Sequence, residues 1–220
     1  MTPAKRPHLS VPYIKSLDEN NLEEAIVTLH ENGQRQVVEA INWKHEYPYA
    51  PLTAFTIAHS DTHIFIDFFV RCNYLRAVNY ENNSHVHQDS CVEFFVSPKG
   101  EKPYYNFEFN CIGTIHAACR EDRNNGKMLS DEQLAQVKRL PSCGTKPFQE
   151  LEGMFSWNLA VAIPLSLIGI KYDGNPIDMR ANFYKCADST AAPHFLSWAP
   201  IDTPQPDFHR PEFFGDITLE

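Results

Sequence analysis

The chain has 220 residues, a net charge of -9, 16 prolines and 12% aromatic residues, 15 of them Phe and 9 Tyr. Its length suits one large β domain over residues 1–220, since no linker of Ser, Gly or charge runs divides it. The acidity argues against a nucleic-acid backbone or an anionic membrane as partner, no run approaches the ~18 apolar residues of a spanning helix, and the aromatic and proline mixture favours many short strands over a helical bundle.

Residues 1–19 are polar and proline-punctuated and read as an extended N-terminal arm, with Val11, Tyr13 and Ile14 as packing points. No apolar stretch follows Met1, so no secretory signal is expected in this chain. Over residues 21–29, Leu22, Ala25, Ile26 and Leu29 recur at helical spacing, with Asn20 or Asn21 as the cap and Gly33 at the end, which predicts a short amphipathic helix. Residues 36–43 alternate loosely as a strand, and Trp43, Tyr47 and Tyr49 read as packing aromatics in a proline-rich connection. Residues 53–58 and 63–70 are the next strands. The second is apolar on both parities apart from Asp67, which suits a central strand buried on both faces and leaves Asp67 needing a partner.

Residues 85–113 are the most informative stretch. His85 and His87, followed by Asp89, form a weak metal-ligand pattern that is more often an unliganded surface pair. Residues 91–96 are dense in Val and Phe, a loop rich in Pro and Lys follows, and residues 104–111 then alternate strictly. Tyr105, Phe107, Phe109 and Cys111 share one parity; Tyr104, Asn106, Glu108 and Asn110 share the other. This predicts an antiparallel hairpin with an apolar face and a polar row. Residues 115–119 continue as a strand, 120–127 are charged and Asn-rich, and 130–139 suit a surface helix capped by Ser130.

Residues 155–163 place Phe155, Trp157, Leu159, Val161 and Ile163 on one strand face. Residues 179–186 show a second polar row, Arg180, Asn182 and Tyr184, and strands are expected again at 195–199 and 216–219 around a proline-rich loop. Nine or ten such strands with one or two short helices give a mostly β fold, an antiparallel sandwich. The six cysteines have no CxxC spacing and read as buried free thiols of a reducing, cytoplasm-like compartment.

No nucleophile elbow, phosphate loop, HExxH or dinucleotide fingerprint is present. Glu93 and Glu108 are the pair that a glycoside-processing enzyme would need, although nothing in the sequence fixes their separation. Haem binding through histidines and methionines is a third reading, with Met179 the methionine nearest a polar row. A strand face of Asn, Glu, Arg and Tyr rimmed by aromatics instead suits a neutral polyol, which needs planar polar groups and flat apolar surfaces. The bland alternative is that Glu93, Glu108 and Arg180 bridge strands structurally.

The segments DSCVEFFVSP, YYNFEFNCIG, WNLAVAIPLSLIG, RANFYKCAD, SWAP and PEFFGDITL, in that order, resemble the family 9 carbohydrate-binding modules over about residues 43–219. The resemblance implies a jelly-roll-like sandwich that binds a sugar without hydrolysing it, holding a terminal sugar between two aromatic rings. Position by position, Glu93 matches the family's ligand glutamate, and its two stacking tryptophans fall on His87 and Phe208. The set Asn106, Glu108 and Asn110 stands where the family has an arginine, with Arg180, Asn182 and Tyr184 as an adjoining wall. Structural calcium ions occur in the family, and Asp67 or Asp89 would be their ligands here, without a recognisable calcium loop.

Overall fold

The computed structural model describes residues 6–98 and 102–220. In chain order it contains β1 (His8–Val11), α1 (Leu22–Asn32), β2 (Gln34–Val37), β3 (Ala40–Ile41), β4 (Leu52–His59), β5 (His63–Ala77), β6 (Cys91–Ser97), β7 (Tyr104–Asn110) and β8 (Ile115–Arg120). Then follow β9 (Gly126–Met128), α2 (Asp131–Leu134), β10 (Lys138–Pro141), β11 (Phe148–Pro164), β12 (Ile177–Cys186), β13 (Phe195–Ser197) and β14 (Gly215–Leu219). The start of the N-terminal arm, residues 1–5, and the hairpin tip, Lys99, Gly100 and Glu101, lie outside the described residues.

The strands form two sheets. The larger runs β1-β14-β12-β6-β7-β8-β9, with β13 and β3 on a branch from β12; the smaller runs β10-β11-β5-β4-β2. Pairing is antiparallel except where β1 lies parallel to β14, so the chain is a mostly β sandwich, as the alternation and turn signals predict. Inward rows from both sheets share one core, with Phe55, Ile66 and Phe68 meeting Phe94, Phe107 and Phe183.

Strand β5 is central, as its two-sided apolarity requires. Its inward residues Ile64, Ile66, Phe68 and Val70 fill the sandwich, while Phe65 packs outward under Ala25 and Leu29 of α1. The helix starts where the Asn21 side chain accepts from the Glu24 N–H, and it supplies the partner that buried Asp67 needs: His30 Nε2 lies 2.7 Å from Asp67 Oδ2.

Several boundaries differ from the sequence expectation; β5, expected over 63–70, runs on to Ala77. The strand expected over residues 36–43 divides into β2, in the smaller sheet, and β3, in the larger, because the chain crosses between sheets at Val38. The helix expected over 130–139 stops at Leu134; Val137 enters the core, and Lys138–Pro141 pairs with β11 instead. The partner stretch, Leu159–Ala162, lies within the expected strand, but β11 itself begins at Phe148, before the expected residue 155, and carries irregularities at Phe148/Leu151 and Glu152/Phe155 that no simple alternation reveals.

One glycine locks the last strand in place. A Cβ on Gly215 would lie 2.8 Å from Trp198 Cη2 and 2.9 Å from the Pro7 carbonyl oxygen. Gly215→Ala is therefore expected to destabilise the fold by about 1–3 kcal/mol through overpacking, read as a lower urea midpoint with an unchanged slope.

Candidate functional site

The outer face of the larger sheet carries the polar rows. Register sets Glu93 of β6 opposite Glu108 of β7 on one side and Tyr184 of β12 on the other, and Cys91 opposite Cys186. Because side chains alternate, Cys91 and Glu93 share a face with Asn106, Glu108, Tyr184 and Cys186. The turn Val86–Gln88 and the segments around Trp43 and residues 200–214 fold over this face, where Trp43, Val86, Phe95, Tyr184, Phe208 and Phe214 make a second apolar cluster.

A cleft of about 140 Å³ remains, lined by His87, Glu93, Glu108, Arg123, Cys186, Asp188, Phe195, Pro206, Asp207, Phe208 and His209. Its floor is the carboxyl pair. The Cys186 thiol donates to Glu93 Oε1 at 3.1 Å, Asn106 Nδ2 donates to Glu108 Oε1 at 3.0 Å, and Arg120 Nε donates to Asn106 Oδ1 at 2.7 Å. On the wall, Phe208 stacks on Tyr184 with ring centroids 4.2 Å apart and an interplanar angle of 7°, and the Tyr184 hydroxyl donates to the Phe208 carbonyl at 3.1 Å. At the mouth, Arg123 and Asp207 pair at 3.0 Å.

Burial raises the carboxyls of this site and lowers its imidazoles. Desolvation, and secondarily the charge of Glu108, hold the Glu93 carboxyl well above the ordinary range. Burial also pushes Glu108 up to about 7 against the pull of Arg120, and Asp188 up to about 6. Desolvation lowers His87 and takes His209 down to about 3, helped by Arg120 and Arg123. At neutral pH the floor therefore offers a protonated Glu93 and neutral imidazoles, groups that both donate and accept hydrogen bonds.

Of the residues expected from sequence, the structure brings His87, Glu93, Glu108 and Phe208 together on the cleft. The others lie outside its lining. Asn106 orients Glu108, and Asn110 Nδ2 donates to the Asn79 carbonyl and to Asp89. Arg180 donates to the carbonyls of Glu212 and Phe214, Asn182 donates to the Ala199 carbonyl, and Tyr184 is buried beneath Phe208. Arg123, Cys186, Asp188, Phe195, Pro206, Asp207 and His209 are lining residues that the sequence reading passed over. For Cys186 a signal existed, since it continues the parity of Asn182 and Tyr184; the loop residues carry no period.

The expected metal patterns do not assemble. Rings of His85 and His87 lie 5.5 Å apart, but Asp89 turns away, accepting from the backbone N–H groups of Val78 and Asn79 and from Asn110, with Arg76 Nε at 3.3 Å. A carboxylate so filled with donors does not fit a calcium ion, and neither does Asp67, held by His30 and by Asn158 Nδ2 at 3.1 Å and flanked along the strand by Ile64, Phe65, Ile66, Phe68, Phe69 and Val70. Met179 faces the inner core, away from the histidines of the cleft. All six cysteines are free, and among the described residues no helix is long and apolar enough to cross a membrane.

The family model for carbohydrate-binding family 9 matches residues 22–219. The crystal structure of "a putative carbohydrate-binding protein" from Bacteroides uniformis ATCC 8492 is 37% identical, covers 98% of this chain and 100% of its own, and superposes with a TM-score of 0.90. A family 9 module from Caldicellulosiruptor kristjanssonii in complex with cellotriose is 14% identical, with 97% and 94% coverage and a TM-score of 0.57. The glucose complex of a family 9 module from that organism gives 15%, 97% and 96%, and 0.54; at these identities both establish the fold alone. No curated protein matches the chain. A family model spanning nearly all of the sequence, and a relative matched over its whole length at 37% identity, place this chain in carbohydrate-binding family 9.

Proposed function

We propose that the chain is a non-catalytic carbohydrate-binding module that takes a neutral sugar in the cleft between His87 and Phe208, with Glu93 and Glu108 bonding its hydroxyls. The observation that carries this reading is the buried carboxyl pair, Glu93 held well above the ordinary range and Glu108 raised to about 7, beside an aromatic wall. A protonated carboxyl both donates hydrogen bonds to hydroxyls and accepts them. The volume of about 140 Å³ is far more than the ~10–15 Å³ that one water needs, and it suits a single sugar unit. Glucose and cello-oligosaccharides head the panel to test, because fold relatives are described in complex with glucose and cellotriose.

Hydrolysis is less well supported. A glycosidase needs its carboxyls on opposite sides of the scissile bond, and here both project from neighbouring strands on one floor. Titration calorimetry should give saturable heat with at least one sugar. Glu93→Gln, which keeps a neutral donor and acceptor, should bind within about threefold of wild type, while Glu93→Ala should lose roughly 10- to 100-fold, the worth of one buried polar contact. An absence of heat across the panel with folded protein would rule out the reading, and turnover of chromogenic glycosides that Glu93→Gln abolishes would favour the enzyme.

A further inference from the structure

We propose that Cys91, Glu93 and Cys186 form a binding site for a thiophilic divalent cation, zinc being the best match. The two cysteines are directly opposed on β6 and β12, Glu93 lies two residues beyond Cys91 on the same face, and one donor atom from each lies within 4.8 Å of the others. Cys186 Sγ is 3.1 Å and Cys91 Sγ 3.8 Å from Glu93 Oε1. All three are at most 2% exposed, so their geometry is set by the central strands of the sheet and not by mobile loops.

The charge environment favours a cation. Glu108 stands directly opposite Glu93 across the β6–β7 pair, and Asp188 lines the same cleft. The nearest candidate counter-ion on the strand, Lys185, projects to the other face, where its Nζ donates to the Cys186 carbonyl at 2.6 Å and lies 2.8 Å from His194 Nε2. Two thiols and a carboxyl thus have donor atoms within 4.8 Å of one another, an arrangement that a divalent ion would stabilise as thiols and carboxyl release their protons to solvent.

Donor chemistry selects the ion. Two sulfurs and one oxygen suit zinc, which takes thiolate and carboxylate together in a tetrahedron, and do not suit calcium or magnesium, which take oxygen. Glu93 and Cys186 also line the cleft, which gives the ion a way in and leaves the fourth position open to water or to a bound hydroxyl. The site shares Glu93 with the sugar reading, but its test contains no sugar.

The test is cobalt(II) titration of the full chain, stripped with chelator and held reduced so that Cys91 and Cys186 cannot join as a disulfide. One equivalent should produce the near-ultraviolet sulfur-to-cobalt charge-transfer band with the visible bands of tetrahedral cobalt, and zinc should displace it. Cys91→Ser and Cys186→Ser should each abolish the charge-transfer band, and Glu93→Gln, nearly isosteric, should weaken cobalt binding at least tenfold while keeping the fold. Wild-type protein without the band would overturn the proposal. So would a band that persists in the serine variants, or an affinity that Glu93→Gln leaves unchanged, because the ion would then be held by other residues. Zinc binding without sugar binding, or the reverse, separates the two readings.

Discussion

Replacing Phe183 by alanine is expected to destabilise the protein by about 3–5 kcal/mol. Phe183 is fully buried on β12, and its ring joins the two sheets. It lies on Phe55 of β4 with centroids 3.8 Å apart at 19°, flanks Phe94 at 5.0 Å, and takes the edge of Trp198 at 5.8 Å and 86°. Truncation removes the transfer energy of the ring and also leaves a cavity between two hydrogen-bonded sheets, which cannot close on it without breaking register. Urea denaturation should show a lower midpoint with an unchanged slope. A loss below about 1 kcal/mol would mean that Phe55 and Trp198 collapse into the space, and that the sandwich is less rigid than its stacked rings imply. Because Asn182 and Tyr184 point to the opposite face, the cleft should keep its form in whatever fraction remains folded.

The same alternation explains what was legible in the sequence. In β7 and β12 the period of two separates Phe107, Phe109 and Phe183 from Glu108, Asn182 and Tyr184, so the polar face and its central glutamates could be read directly. Membership of a polar row does not say which residues reach open space. Arg180 and Asn182 share parity with Tyr184, yet the turn Pro211–Phe213 and the segment around Ala199 cover them and use them as hydrogen-bond donors. Conversely, Arg123 and Asp207 are 84 residues apart, in loops without periodicity. Only the packing of those loops over the sheet brings them to one mouth. The helix expected at 130–139 failed for a related reason: Ser130 does form a capping box with Gln133, but the open edge of β11 draws the following residues into a strand, and tertiary pairing outweighs local propensity.

Acid should unfold this protein partly through His209, and the sign follows from its surroundings. The ring is part-buried against Phe95 at 5.0 Å, with Nδ1 3.0 Å from the Tyr104 hydroxyl, while Arg120, Arg123, His116 and His87 all disfavour a further positive charge. Asp207, the nearby acid, is engaged by Arg123 and by the His209 backbone N–H at 3.1 Å. With a folded value of about 3 against 6.5 for the ordinary imidazole, the unfolded chain takes up the proton first. The contribution of His209 is thus fully present above pH 6.5 and is lost as the pH falls toward 3, reaching roughly 3 kcal/mol at pH 4 if the ring stays dry. Glu108 works in the opposite direction: raised to about 7 from 4.5, it stabilises below pH 4.5, and that contribution disappears as the pH rises through 7. Between pH 4.5 and 6.5 the two offset each other, so the wild-type decline should steepen only below about pH 4.5. In chelator-treated protein, His209→Gln should reduce the stability lost between pH 7 and pH 4 by about 1–3 kcal/mol, and Glu108→Gln should remove the offset, so that stability already falls as the pH drops from 6.5 to 4.5. Equal acid losses in wild type and His209→Gln would show that water reaches the imidazole, in which case the cleft is wetter than the neutral, desolvated floor on which the sugar reading rests.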